Sequence, residues 1–179
     1  MPKEKISDKQ FFLIINGPSC GGKSSVSDSL RAQYGNIFNA KYDSLKWLIP
    51  YYDSTLHREI VIDMVAETIK VAFKNKFSVI SEGGLFGVEK YIGIAKASNI
   101  DIFIANIEAL WDVLMSRFEV RIEAKKQGAK ISNTDPKRFK ELYDMYNNTK
   151  METELVFDSS KQSPEEIARL ISDYIRKNQ

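Results

Sequence analysis

Only one cysteine, Cys20, occurs in 179 residues, so no internal disulfide is possible, and nothing else points to an oxidising compartment. Charge of one sign is also lacking. The formal net charge is +2, which argues against a dedicated DNA or RNA binder with its basic face. The lysines at 125, 126 and 130 form only a short local cluster, as a solvated helix face does. Long hydrophobic runs are missing too: FFLII and IFIA fall far short of a membrane span. The opening MPKEKISDKQ has no apolar segment of the kind a signal peptide needs. The expectation is a soluble cytoplasmic protein with no nucleic-acid or membrane partner. Internal repeats and low-complexity linkers are absent, and 179 residues suit one domain spanning 1–179. With 43% hydrophobic and 28% charged residues, that domain has the material for a packed core.

What is present is an alternation. Short apolar segments at 11–16, 36–41, 77–81, 100–107 and 155–157 read as strands, most of them apolar enough for burial on both faces. Between them run helical patterns. After His57, the residues Ile60, Met64, Val65, Ile69, Ala72 and Phe73 line one stripe. Asp135-Pro136 opens a helix carrying Phe139, Leu142, Tyr143 and Tyr146. Ser163-Pro164-Glu165-Glu166 reads as a capping box with proline at the first helical position. Strands alternating with helices predict an α/β fold with a parallel sheet covered on both sides. Ligands of such sheets sit beyond the carboxyl ends of the strands. The loop after Asn16, Asp43 after the second strand and Glu82 after the third all fall there.

Residues Gly17 to Ser24, GPSCGGKS, match the phosphate-binding pattern G-x-x-x-x-G-K-S/T. Glycines let backbone N–H groups turn inward around a phosphate without side-chain collision. The helix beginning near Lys23 aims its unpaired N–H groups at the same place. Lys23 is placed to reach the terminal phosphates, and the Ser24 hydroxyl to ligate Mg²⁺. The match follows a predicted strand and opens a predicted helix, which is the context the motif requires. Cys20 reads as a small residue that fits the loop.

A phosphate loop does not by itself name a reaction. A GTPase would carry N-K-x-D, but Asn75-Lys76 continues with Phe77-Ser78. A motor or transporter ATPase would end its acidic strand in Asp-Glu or similar, where this chain has Glu82 alone. Arg117 and Arg121 stand four apart, on one helical face, with Lys125 a turn further on. The polar stretch QGAKISNTDP follows. Paired arginines running into a polar flap, about 117–136, look like a kinase lid, which excludes water so that phosphate reaches an acceptor.

These features together resemble the small P-loop kinases, the group containing adenylate, shikimate and gluconate kinases, chloramphenicol phosphotransferase and the zeta-toxin sugar-nucleotide kinases. The resemblance runs through GPSCGGKSS, YDSLKW, VISEGG, LMSRFEVR and VFDSS with SPEEI, in that order. It is closest to the chloramphenicol-phosphotransferase-like and zeta-toxin-like members. It implies a three-layer P-loop NTPase fold with strand order 2-3-1-4-5 and a helical lid. It implies that Gly17, Pro18, Ser19, Cys20, Gly21, Gly22, Lys23, Ser24 and Ser25 hold ATP phosphates and Mg²⁺. It further implies that Arg117 stacks on adenine, that Arg121 touches phosphate, and that the turn at Ser160 to Gln162 borders the adenine edge.

On the acceptor side, Asp43 sits where hydroxyl-phosphorylating members carry an aspartate that orients or deprotonates the acceptor. A helix cap for the segment with Leu45, Trp47 and Leu48 is the plainer use of it. Glu82 stands where the third strand ends in an acid, placed for a Mg²⁺-bound water or an acceptor group. Gly83 and Gly84 beside it allow close approach. Nucleoside monophosphate kinases clamp the acceptor phosphate with arginines after the second strand and in a Gly-Phe-Pro-Arg turn. Here those places read YDSLKW and EGGLFG, with Lys46 the only base near the first and Arg58 the nearest arginine. An acceptor lacking its own phosphate fits better. Phe38, Tyr42, Trp47, Tyr51, Tyr52, Phe86 and Tyr91 suggest a bulky, partly apolar one. A lone histidine near a helix start, His57, reads as structural or exposed. The expectation is an ATP- and Mg²⁺-dependent small-molecule kinase acting on a hydroxyl, with Lys23, Asp43 and Arg121 as its catalytic residues. The alternatives are a nucleoside monophosphate kinase and a nucleotide-binding module that does not turn over.

Overall fold

Strand β1 (Phe11–Asn16) is buried along its whole length and occupies the centre of the sheet. The computed structural model describes residues 3–83, 86–131 and 133–179. Along them follow α1 (Lys23–Gln33), β2 (Ile37–Ala40), α2 (Tyr42–Lys46), α3 (Arg58–Lys74), β3 (Ser78–Glu82) and α4 (Val88–Ala97). Then come β4 (Asp101–Glu108), α5 (Trp111–Lys126), α6 (Pro136–Thr149), β5 (Leu155–Asp158) and α7 (Pro164–Lys177). The strands are all parallel and lie in the order β2-β3-β1-β4-β5, as the resemblance implied.

Alternation along β1 divides the core. Phe11, Leu13 and Ile15 pack with Val26 and Leu30 of α1 and with Ile167, Ile171 and Ile175 of α7. Phe12 and Ile14 face the other way, onto Val65, Ala66 and Ile69 of α3 and Ala95 of α4. A parallel sheet with two covered faces needs this doubly apolar central strand. The cap of α7 forms as its sequence suggests, with the Glu166 amide donating to the Ser163 hydroxyl at 3.1 Å. Asp135 likewise accepts from the Lys137 amide and starts α6.

Two expectations shift. The buried face of α3 is Val61, Ile62, Val65, Ala66, Ile69, Ala72 and Phe73, while Ile60 is 55% exposed. Val65, Ile69, Ala72 and Phe73 of the expected stripe are buried, and Val61, Ile62 and Ala66 join them, because α3 packs against both the sheet and α4 and its apolar face is broader than a single row. The helix expected to hold Leu45, Trp47 and Leu48 ends at Lys46. Leu48 and Ile49 then donate to Leu45 and Lys46 in tight three-residue turns. Pro50 excludes helical geometry from the residue before it, and Tyr51 adopts a left-handed φ of 53°.

A third cluster sits apart from the sheet. Leu114 and Phe118 of α5 meet Phe139 of α6, and the rings of Phe118 and Phe139 stack at 4.2 Å between centroids. This contact holds together the two helices that flank the 127–135 connection. Phe139→Ala is expected to lower unfolding free energy by about 3–5 kcal/mol, the usual range for truncating a buried aromatic. Urea denaturation of the two proteins measures it, and a loss below about 1 kcal/mol would show that the helices do not depend on this stack.

Candidate active site

Parallel register gathers the site. Ile15 pairs with Glu82 and Asn16 with Asn106, so the ends of β1, β3 and β4 are level. Ala40 pairs with Ser81, which sets the next residue, Lys41, beside Glu82. Above this edge the 17–22 loop folds back over the sheet. A Cβ at Gly17 would lie 2.2 Å from the carbonyl oxygen of Ile107 in β4, and one at Gly21 would lie 3.0 Å from the same atom. Gly22 enters α1 in a left-handed conformation, φ 93°, as glycine does without strain. No side chain caps this helix, and its first internal bond runs from the Val26 amide to the Gly22 carbonyl. The amides of Lys23, Ser24 and Ser25 therefore precede the internal ladder and suit an anion.

Lys23 donates to the carbonyls of Gly17 at 2.8 Å and Pro18 at 2.7 Å. Burial pushes its ammonium down to about 8, with Arg121 acting in the same direction and Glu82 opposing. The Ser24 hydroxyl donates to Glu82 Oε2 at 2.5 Å. The other Glu82 oxygen accepts from Asn39 at 2.8 Å and pairs with Lys41 at 2.9 Å. Burial alone would raise this carboxyl. The bonds from Ser24, Asn39 and Lys41 outweigh it and hold the carboxyl below its usual range. Ser24 and Glu82 offer two hard oxygens side by side, which suits Mg²⁺, an ion that takes few protein ligands and fills its shell with phosphate and water. Among the described residues no cluster of three His, Cys, Asp or Glu side chains offers a fuller cage.

Arg117 and Arg121 reach the loop from α5. Arg117 donates to the Cys20 carbonyl at 3.2 Å, the Ser159 hydroxyl at 2.9 Å and the Ser159 carbonyl at 2.8 Å. Ser159 in turn donates to the Gly21 carbonyl at 2.8 Å. Arg121 donates to the Ser19 hydroxyl at 3.2 Å and approaches the Cys20 sulfur at 3.5 Å.

Asp43 lies in the first turn of α2 and caps nothing, because the cap position belongs to Lys41. Its carboxylate pairs with the buried Lys46 at 2.5 Å. The loop, Arg117, Arg121, Glu82 and Asp43 all open on one cleft of about 1120 Å³. Of the aromatic residues read as acceptor contacts, Tyr42, Trp47, Tyr51, Tyr52 and Phe86 line this cleft. Phe38 does not, and Tyr91 is core, 2% exposed. Gly84 lies outside the described residues, and Gly83 lines the cleft. His57 is structural: its Nδ1 accepts from the Asp53 amide at 2.9 Å. The turn after β5 borders the cleft through Ser159 and Gln162, whereas Ser160 turns to accept from the Leu110 amide.

Sequence reasoning passed over Lys41, Asn39, Ser159 and Arg138. Lys41 was legible as the neighbour of Glu82 once the strands are taken as parallel and adjacent. Arg138 reaches the cleft only through the angle between α5 and α6, which no local pattern encodes.

No protein-family model matches the chain, and no curated protein matches it in sequence. Solved structures do match. The tunicamycin resistance protein of Deinococcus radiodurans aligns with a TM-score of 0.63 at 14% identity, over 93% of this chain and 96% of that one. A Chloroflexus aurantiacus protein assigned only provisionally as a kinase gives 0.73 at 15% identity, over 96% and 99%. The APS kinase of Mycobacterium tuberculosis, solved with AMPPNP and APS, gives 0.65 at 14% identity, over 94% and 99%. The chain has the fold of the small P-loop kinases. At such identities likeness carries the fold, and chemistry must be argued from the site. No described helix is long and apolar enough to cross a membrane.

The buried ammonium gives a pH test. Lys23 has a folded-state value of about 8 against 10.5 for a free lysine. Between those values the unfolded chain binds more protons, so stability rises with pH across that window. Wild type is expected to gain stability relative to Lys23→Met from about pH 8 to 10.5, measured by urea unfolding without nucleotide. Parallel curves would show that the ammonium is not buried at a cost.

Proposed function

We propose that the protein is an ATP- and Mg²⁺-dependent kinase that transfers the γ-phosphate to a hydroxyl group of a small molecule. The observation that carries this reading is one cleft lined both by the phosphate loop with Arg117 and Arg121 and by Asp43 with aromatic side chains. A hydrolase needs no such aromatic lining beside its phosphate loop. The amides of the loop and of Lys23, Ser24 and Ser25 would cradle the phosphates. Lys23 would exchange the Gly17 and Pro18 carbonyls for phosphate oxygens, which removes the cost of its burial. Arg121 would meet the transferring group and Arg117 the base. Mg²⁺, when bound beside Ser24 and Glu82, supplies charge neutralisation on the phosphate oxygens.

Asp43 orients the acceptor. The hydroxyl oxygen bonds to the γ-phosphorus, the bond to the bridging oxygen breaks, ADP leaves, and the hydroxyl proton passes to the Asp43 carboxylate. Lys46 at 2.5 Å fixes that carboxylate. The acceptor half is more than polar. Tyr42 and Tyr52 join hydroxyls at 2.7 Å, and Trp47 and Phe86 flank them in the lining. This surface suits an acceptor with both apolar and polar parts.

Asp43→Asn is expected to lower kcat for transfer by roughly a hundredfold or more while AMPPNP affinity changes little. Lys23→Ala is expected to abolish transfer. Both are read by following labelled phosphate from ATP into product across a panel of hydroxylated metabolites and antibiotics. Unchanged turnover in the Asp43 variant would remove Asp43 from the mechanism. Tight AMPPNP binding with no product from any acceptor would favour the non-catalytic nucleotide-binding module instead.

A further inference from the structure

Away from the cleft, α3 turns a patterned face to solvent. Its buried residues lean onto the sheet and α4. Opposite them, Ile60, Met64, Glu67, Val71 and Lys74 recur at alternating spacings of four and three, which sets them in one straight seam along the helix. Ile60 is 55% and Val71 60% exposed, and Met64 between them is half-buried. None of these three belongs to a core cluster among the described residues. An apolar seam that serves no core is the usual mark of a contact surface.

Charge on this face is sorted by sign. Glu59 and Asp63 lie in the first half of the helix, Lys70 and Lys74 in the second, and all four are exposed. At 3.6 residues per turn they fall on the same flank of the seam, within about 60° of one another. The helix dipole favours an acid in the first turn and a base in the last, which accounts for Glu59 and Lys74. It does not reach Asp63 and Lys70, which are interior, and it asks nothing of Ile60 and Val71. Within the chain Asp63 pairs with Lys90, and Lys70 with Glu67 at 2.7 Å. Both are exposed pairs of the kind that contribute little and exchange readily.

A two-fold axis across the middle of α3 makes such a face complementary to itself. Two copies laid antiparallel bring like flanks together, so Asp63 meets the partner's Lys70, Glu59 meets the partner's Lys74, and Ile60 meets the partner's Val71. Parallel copies would set acid on acid. Glu67 falls nearest the axis and keeps the Lys70 of its own chain within reach. Leu56, 77% exposed, precedes the seam and Phe77, 38% exposed, follows it, so the same axis carries an apolar residue toward each end.

We infer that the solvent face of α3 is a self-association surface, on which a second copy of this chain docks antiparallel about a two-fold axis. The seam is only about 21 Å long, which places the contact at the small end of specific interfaces and makes the dimer a concentration-dependent one. The inference stands apart from the kinase reading.

Sedimentation equilibrium of the full chain, from low micromolar to several hundred micromolar, tests it. Wild type is expected to pass from monomer to dimer mass over that range, less so in high salt, which screens exposed charges. Monomer mass throughout overturns the inference. Two double variants test the face. Glu59→Lys with Asp63→Lys makes the flank wholly basic, and Lys70→Glu with Lys74→Glu makes it wholly acidic. Each is expected to stay monomeric where wild type is largely dimeric, and an equimolar mixture to recover a dimer of one of each. Double variants that self-associate as wild type does, or a mixture that stays monomeric although both variants melt cooperatively, overturn it. Val71→Gln, which alters one exposed side chain and no charge, is expected to weaken association roughly tenfold or more, the effect of removing an apolar side chain from the contact. Unchanged association in that variant overturns the seam.

Discussion

A methyl group on Gly17 would come within 2.2 Å of the Ile107 carbonyl oxygen, so the loop closes over the sheet only because this residue has no side chain. The contacts around the loop depend on that approach. It brings the loop down onto the end of β4 and, through it, within reach of the turn after β5. There Ser159 binds the Gly21 carbonyl and receives Arg117, whose guanidinium also binds the Cys20 carbonyl. One close backbone contact thus links a loop, two strand ends and α5. A larger residue at 17 would lift the loop and loosen the bonds that hold the arginines.

The second organising element is the ladder between β2 and β3. It carries no glycine and no motif, yet it sets Lys41 and Asn39 against Glu82. A buried carboxylate with one partner would be costly. With bonds from Ser24, Asn39 and Lys41 it stays ionised and fixed beside the Ser24 hydroxyl. Lys41 also reaches Asp28 on α1 at 3.4 Å, so the network runs from the sheet into the helix that begins at the loop.

Legibility followed locality. The loop, β1 and the caps of α6 and α7 could be read because each rests on short spacing: a glycine pattern, an apolar run, or a Ser/Asp-Pro start; the strand order came only through the family resemblance. The register of Ala40 with Ser81 makes Lys41 a neighbour of Glu82, and that pairing is long-range. Ser159 is visible within VFDSS, but its bond to Gly21 spans 138 positions. The α3 stripe is legible except at Ile60, and its extra buried residues are not, because a helix packed on two surfaces buries more than one row. The α2 segment was read too long because Trp47 and Leu48 continue a helical pattern that Pro50 cuts short.

The same contrast separates the two parts of the cleft. The loop is tied by backbone and arginine contacts to α5 and to the turn after β5, so little about it can vary independently. The wall with Trp47 and Tyr52 hangs on the 47–57 connection, where Leu48 is 67%, Tyr51 99% and Leu56 77% exposed. Such a segment has few buried apolar contacts to fix it and belongs to the less stable part of a fold. Connections of this kind tolerate change more readily than the elements they join. The Asp43–Lys46 pair stands on α2, before the connection begins, so that part of the cleft can keep its charge while the exposed aromatics of the connection alter its shape.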